Sequence, residues 1–234
     1  MTQSAHRDHA SATGALRRLA RLHGSHRYLV LFYTLLFTLG AAPLLTALRF
    51  DADLLQIFLA FNLLVALLGV PGRGWRVLLM LLAAVSVGLR VAPASAVGVG
   101  VATGTLAVAS LLALLAAASA TRFVMRAQAI SAEQIYAALS VYLLAGLFFG
   151  LLYWAIELTW PGSFGEAGAS SPARFPLSIA IYFSFVTLAT LGYGDMVPRT
   201  EVARGVAVLE AVGGQLYVAV TIARLVGAQL QGRG

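Results

Sequence analysis

Pro176-Leu177-Ser178-Ile179-Ala180-Ile181-Tyr182-Phe183-Ser184-Phe185-Val186-Thr187-Leu188-Ala189 runs directly into Thr190-Leu191-Gly192-Tyr193-Gly194-Asp195. The first part is apolar and aromatic, and it opens on a proline suited to a first helical position, where the missing N–H costs nothing. Fourteen helical residues span about 21 Å, too short to cross a bilayer and long enough to enter one and stop. In the second part, glycines at alternate places allow positive φ, which turns successive carbonyls to one side of the chain. Such a strand can line a narrow axis with backbone oxygens, the cage that a dehydrated monovalent cation requires. Non-helical backbone at membrane depth is tolerated only where it is buried in protein or lines a wet cavity. One strand cannot enclose an ion, so several chains must meet on an axis. The short helix would aim its partially negative C-terminal end at the ion.

The surrounding chain is built for lipid. Of its 234 residues 60% are hydrophobic and 11% charged, and its mean hydropathy is +0.86. Soluble domains carry about 25% charged residues, so soluble globular classes are excluded. Apolar stretches at about 28–48, 54–70, 75–91, 97–121, 135–159 and 202–226 approach the length of a bilayer crossing, the second and third being short. The Gly-rich run Val97 to Gly104 alternates like a strand. It is expected to be helix, because an isolated strand cannot satisfy its backbone in lipid, and its small residues should permit close packing. Ser131 and Gln134 form a capping box at the fifth span. The expected fold class is thus an all-α membrane protein with six transmembrane helices plus a re-entrant pore helix and filter loop. The loop that precedes Pro176, from Trp160-Pro161-Gly162 to Pro172, is turret-like and rich in Gly, Pro and Ser.

All sixteen cations are arginine, against nine acids, giving a net charge of +7. With the N-terminus inside, eleven of the sixteen fall on the cytoplasmic side: Arg7, Arg17, Arg18, Arg21, Arg27, Arg73, Arg76, Arg122, Arg126, Arg224 and Arg233. The positive-inside rule then places both termini in the cytoplasm and accounts for the charge without nucleic acid. Residues 1–27 form a basic flank that also holds all four histidines. Three readings of it stay open: an interfacial helix on anionic lipid, a flank that merely sets orientation, or a secretory signal ending near Ala41-Ala42. The histidines suit either a pH sensor or plain solvent exposure. There is no cysteine, and no HExxH, GxSxG or Walker sequence, so an enzyme is not expected.

Thr187-Leu188-Ala189-Thr190-Leu191-Gly192-Tyr193-Gly194-Asp195 resembles the pore signature of potassium channels. The resemblance covers residues 135–226 and implies an outer helix, a pore helix at 176–189, a filter at 190–195 and an inner helix at 202–226. It implies a homotetramer that holds K+ on the carbonyls of Thr190, Leu191, Gly192 and Tyr193 and the Thr190 hydroxyl, with Gly194 completing the filter. Residues 28–121 would then be a four-helix transmembrane domain, 122–134 a cytoplasmic linker and 227–234 a short cytoplasmic tail. For a bacterial-type channel of this kind the expected location is the inner (plasma) membrane. Filter support is expected from Asp195, Tyr182, Phe183, Ser184 and Thr187. Tyr182 and Phe183 stand where the family often has two tryptophans. Tyr182 retains a donor for Asp195, whereas Phe183 has none for Tyr193. Leu191 replaces the usual Val or Ile, and Val186 a Glu found in some relatives. The tyrosine itself argues against the family's non-selective variants.

Within the last span, Glu210 reads either as a gating or permeation group, hydrogen-bonded to Ser184 or Thr187 behind the filter, or as a protonated or paired structural residue. Gly213-Gly214 suits a hinge or a close contact. Gln215, Val218, Ala219 and Ile222 share one helical stripe, facing either the inner cavity or the fifth span. Residues 91–121 hold no cation, so the arginine ladder of voltage-gated relatives does not carry over, and weak voltage dependence is expected. About eight residues follow the last span, too few for a nucleotide-, calcium- or cyclic-nucleotide-binding domain there. The other function in view is a subunit of a potassium transport complex, or a non-conducting scaffold with a vestigial pore.

Overall fold

A computed structural model describes residues 27–47, 52–67, 72–91, 99–125, 131–168 and 175–231. Among these, seven helices and one small ribbon follow in the order α1 (Arg27–Ala47), α2 (Ala52–Leu67), α3 (Arg73–Val91), α4 (Val99–Met125), α5 (Ala132–Thr159), β1 (Phe164–Glu166), α6 (Leu177–Leu188), β2 (Met196–Pro198) and α7 (Glu201–Gln231). Three stretches are long and apolar enough to cross a membrane: Gly104–Met125, Ala132–Thr159 and Glu201–Ala228. The apolar parts of α1, α2, α3 and α6 are shorter.

The helices fall where backbone demand and apolar length require them. The Gly-rich run is helical from Val99 onward. Its glycine Gly104 is exposed with open space around it. Further along, the alanines Ala109, Ala113, Ala116, Ala117 and Ala120 bury one side of α4. Small side chains let helix backbones approach and recover dispersion contacts, which is the main attraction available in lipid. Helix α4 runs on to Met125 and α5 starts at Ala132, so much of the stretch expected as linker, 122–134, is helix. At its start the Gln134 side chain takes the Ser131 backbone N–H. Helix α7 likewise continues through 227–231, into the expected tail. The basic flank 1–26 lies outside the described residues, and so do Arg126 and Arg233.

Helices α1 and α4 pack on α5, α2 packs on α1 and α4, and α3 packs on α4, through one apolar core that includes Leu35, Leu67, Leu106, Leu112 and Leu144. Two polar fasteners index this bundle. Asn62 Nδ2 donates to Thr38 Oγ1, tying α2 to α1. At one end Glu133 Oε1 accepts the Tyr28 N–H at 2.9 Å, and the Tyr28 ring stacks on Phe123 at 5.0 Å. The start of α1, the end of α4 and the start of α5 therefore meet at the same end. The Arg27 guanidinium lies 4.8 Å from the Tyr28 ring centre and 5.1 Å from that of Phe123, an arrangement in which the ring quadrupoles stabilise the cation.

The ribbon departs from the all-α fold class expected, and places a short strand in the turret that was expected as loop. β1 and β2 pair antiparallel, Phe164 opposite Pro198 and Glu166 opposite Met196. Three-residue strands carry too little alternation to be seen as a period in sequence. Glu157, at the end of α5, shapes the approach to them: Oε1 accepts the Gly162 N–H at 2.8 Å and Oε2 the Phe164 N–H at 3.0 Å.

Candidate ion pathway

Helix α6 begins after Pro176, whose ψ of 167° makes it the N-cap; it is not the first helical residue. The helix therefore has twelve residues where fourteen were expected. It approaches α5 very closely because α5 presents glycines four apart. A Cβ on Gly146 would lie 2.5 Å from the Phe185 ring, and one on Gly150 would lie 2.9 Å from Ile181 Cα. This small-xxx-small pattern was available in the sequence as Gly146-Leu147-Phe148-Phe149-Gly150.

At its C-terminal end α6 hands its carbonyls to the following strand. Phe185 O accepts the Ala189 N–H, Thr187 O that of Thr190 at 3.0 Å, and Val186 O those of Leu191 at 2.9 Å and Gly192 at 3.4 Å. Tyr142 of α5 donates its hydroxyl to Leu188 O at 3.2 Å. The chain entering Thr190-Leu191-Gly192 is thus suspended from the last turn of α6. Its backbone then alternates. Thr190 has φ 58°, Gly192 φ 56° and Gly194 φ 76°, with ordinary values between them. Two of these left-handed positions are the glycines on which the sequence reading rested. The third is a threonine, a β-branched residue for which φ > 0 is unusual and costs on the order of 1–3 kcal/mol. Such a residue persists only where its surroundings over-determine it, and here the Thr187, Val186 and Leu188 carbonyl contacts flank it on the α6 side. All residues from Ala189 to Asp195 are exposed in the single chain, Tyr193 to 66%.

The far end of the strand is stapled twice. Tyr182 donates to Asp195 Oδ2 at 2.8 Å, and Asp195 O accepts the Ala167 N–H at 3.1 Å. The ribbon continues this attachment: Ser163 O accepts the Arg199 N–H at 2.7 Å, and the Arg199 guanidinium donates to Glu166 O at 3.0 Å. The second aromatic, Phe183, goes elsewhere. It joins a buried cluster with Tyr153 at 5.0 Å and Phe164 at 5.4 Å, so it braces α6 against α5 and β1. Among the described residues Phe183 makes no ring contact with Tyr193.

Helix α7 presents one packed face and leaves the rest open. Ala203, Glu210, Gly214 and Thr221 are buried on it, and Tyr217 donates to Ala138 O of α5 at 2.8 Å. Glu210 bonds to Ser184, not Thr187. Gly214 is a contact glycine, since a Cβ there would lie 2.5 Å from Leu188 Cδ1. Gly213 is exposed with nothing nearby, and the helix runs unbroken through both. Gln215, Ala219 and Ile222 are exposed and Val218 half-buried, so this stripe is not the face that packs on α5. Val208, Leu209, Val212, Leu216 and Val220 are all more than half exposed, an apolar surface with no partner in one chain.

Comparison with known proteins agrees with this arrangement. Residues 137–229 match the family described as "Ion channel". The chain is 39% identical over 64 residues to the two pore potassium channel c of Oryza sativa subsp. japonica, an alignment covering 27% of this chain and 13% of that protein. No solved structure matches the chain.

Proposed function

We propose that this chain, whose residues 137–229 match an ion-channel family, which is not an enzyme class, conducts potassium passively across a membrane through a homotetrameric pore. The observation that carries this reading is the alternation of left-handed residues at Thr190, Gly192 and Gly194 in an exposed strand. Alternation points the carbonyls of Thr190, Leu191, Gly192 and Tyr193 to one side, and four such strands about an axis replace the hydration shell of K+. A single chain leaves that strand and the apolar flank of α7 uncovered, as a subunit of a closed ring would. The Gln215, Val218, Ala219 and Ile222 stripe faces the inner cavity, with Ile222 near its cytoplasmic mouth.

Six helices cross, α1 to α5 and α7, with both termini in the cytoplasm of a bacterial-type inner membrane. The shared end of α1, α4 and α5 is what antiparallel crossings produce, and arginine distribution sets the orientation. Anionic lipid is the partner of the basic flank 1–27.

The decisive experiment is planar-bilayer recording of the purified protein under opposed potassium and sodium gradients. A reversal potential near that of potassium is expected. A potential near zero with sustained current would reject potassium selectivity, and silence from intact tetramers would favour the transport-subunit or scaffold reading.

The same recordings test voltage dependence. A charge moved through the field is worth about 2.3 kcal/mol per 100 mV. The last turn of α4 carries Arg122, which is exposed, and the sequence places no cation earlier in the helix. A shallow conductance–voltage curve is expected; a steep one would mean that another element carries gating charge.

A further inference from the structure

Glu210 is wholly buried in α7, and its carboxyl group meets two hydroxyls. Tyr153 Oη of α5 lies 2.5 Å from Oε2, and Ser184 Oγ of α6 is hydrogen-bonded to Oε1. Ser184 Oγ also lies 2.7 Å from the Gly146 carbonyl oxygen of α5. These are three short oxygen–oxygen contacts, and each requires one hydrogen to be attractive. The Gly146 carbonyl can only accept, while Tyr153 and Ser184 bring one hydrogen each. Two hydrogens cannot serve three contacts. If Glu210 were ionised, either Ser184–Gly146 or Ser184–Glu210 would be a bare pair of oxygens, in a medium where uncompensated polar contacts cost most.

We infer that Glu210 is a neutral carboxylic acid that donates to Ser184, and that the chain Tyr153–Glu210–Ser184–Gly146 latches the inner helix behind the filter. In this arrangement Tyr153 donates to Glu210 Oε2, Glu210 Oε1–H donates to Ser184 Oγ, and Ser184 donates to Gly146 O. Every hydrogen is used and every contact is satisfied.

The latch is one of two rungs. Ser184 and Leu188 are one turn apart on α6, and Glu210 and Gly214 are one turn apart on α7. Ser184 is joined to Glu210 by the hydrogen bond, and Leu188 lies against the Gly214 backbone. Between the two rungs sits Val186, whose carbonyl holds Leu191 and Gly192. Glu210 is therefore a positioning residue: it fixes α7 against the turn from which the filter hangs. This positioning role rests on the proposed conduction, whereas the protonation state does not.

The test compares wild type, E210Q, E210L and S184A as purified assemblies, by infrared spectroscopy, thermal unfolding with and without potassium, and potassium flux from vesicles. Glutamine keeps an acceptor for Tyr153 and a donor for Ser184, so E210Q should retain wild-type flux and potassium-dependent thermal stabilisation. E210L leaves Tyr153 and Ser184 unsatisfied and should lose flux about tenfold. The wild type should show the C=O band of a protonated carboxylic acid, absent from E210Q and displaced in S184A, where the acid loses its acceptor. Absence of that band from the wild type would overturn the neutral acid. Equal flux and equal potassium stabilisation in E210Q and E210L would overturn the positioning role. If E210L does not assemble, S184A takes its place in that comparison. A silent wild type with the band present would count against conduction alone, and potassium-dependent stabilisation would then decide the positioning role.

Discussion

Replacing Tyr193 by alanine is expected to abolish the potassium leak of reconstituted vesicles, a leak that barium should block in the wild type. The side chain is 66% exposed in one chain and stacks on none of the described rings, while its neighbours Gly192 and Gly194 hold left-handed backbone. A strand alternating in this way has no ladder hydrogen bonds of its own. Its inner end hangs on Val186 and Thr187, and its outer end on Tyr182 and Ala167. In the proposed ring, the backbone between these anchors would be held by side chains that pack outward against neighbouring chains. Truncating the largest of them lets the Tyr193 and Gly192 carbonyls rotate off the axis, and the dehydrated ion loses its cage. A fall in flux of at least about tenfold corresponds to some 1.4 kcal/mol added to the permeation barrier. Wild-type leak that persists in Tyr193→Ala and is still barium-sensitive would show that ions pass by another route.

Gly150→Val should destabilise the assembled protein more than any substitution at an exposed helical glycine. A Cβ at this position would lie 2.9 Å from Ile181 Cα and 3.3 Å from Ile181 N. Both are backbone atoms of α6, so no side-chain rotation relieves the overlap. Helix α6 itself must move, and with it the Val186 carbonyl that holds Leu191 and Gly192. Overpacking of this kind costs about 1–3 kcal/mol, and more where backbone is displaced. Gly104→Ala is the matched control, because Gly104 has nothing within 4 Å and lies exposed on α4. There alanine should be neutral, or gain up to about 1 kcal/mol from helix propensity. Thermal unfolding of the purified assembly measures both. An unchanged midpoint for Gly150→Val would mean that α6 does not pack on α5 as closely as the structure has it.

Much of the fold was legible because lipid makes backbone satisfaction a sequence-local demand. Each apolar stretch had to be helix, and its described residues are, including the Gly-rich start of α4 from Val99 onward. Pro176 marked the start of the pore helix to within one residue, and Tyr182 has the bond to Asp195 that its hydroxyl suggested. The open choices were those that depend on which face of a helix turns inward. Gly213 and Gly214 are indistinguishable in sequence, yet only Gly214 meets Leu188. Phe183 and Tyr182 are adjacent, and a 100° step along α6 sends one into the Tyr153 and Phe164 cluster and the other to the filter's outer end. Thr190 gave no sign of a left-handed backbone, since that conformation is imposed by the carbonyls of α6 and not by its own preference.

The sequence by itself determined that this is an apolar helical chain of membrane type, with a short apolar helix leading into a glycine-alternating strand. Those features follow from period, length and the conformational freedom of glycine, which are properties of consecutive residues. Tertiary structure alone decided how the strand is held: the carbonyls of Val186 and Thr187, the β1–β2 ribbon, and the buried contacts of Glu210 with Tyr153 and Ser184. These partners lie up to 57 residues apart in the chain. No local pattern encodes them, because a hydrogen bond depends on where helices cross, and crossing is set by the glycines and alanines that let one backbone approach another.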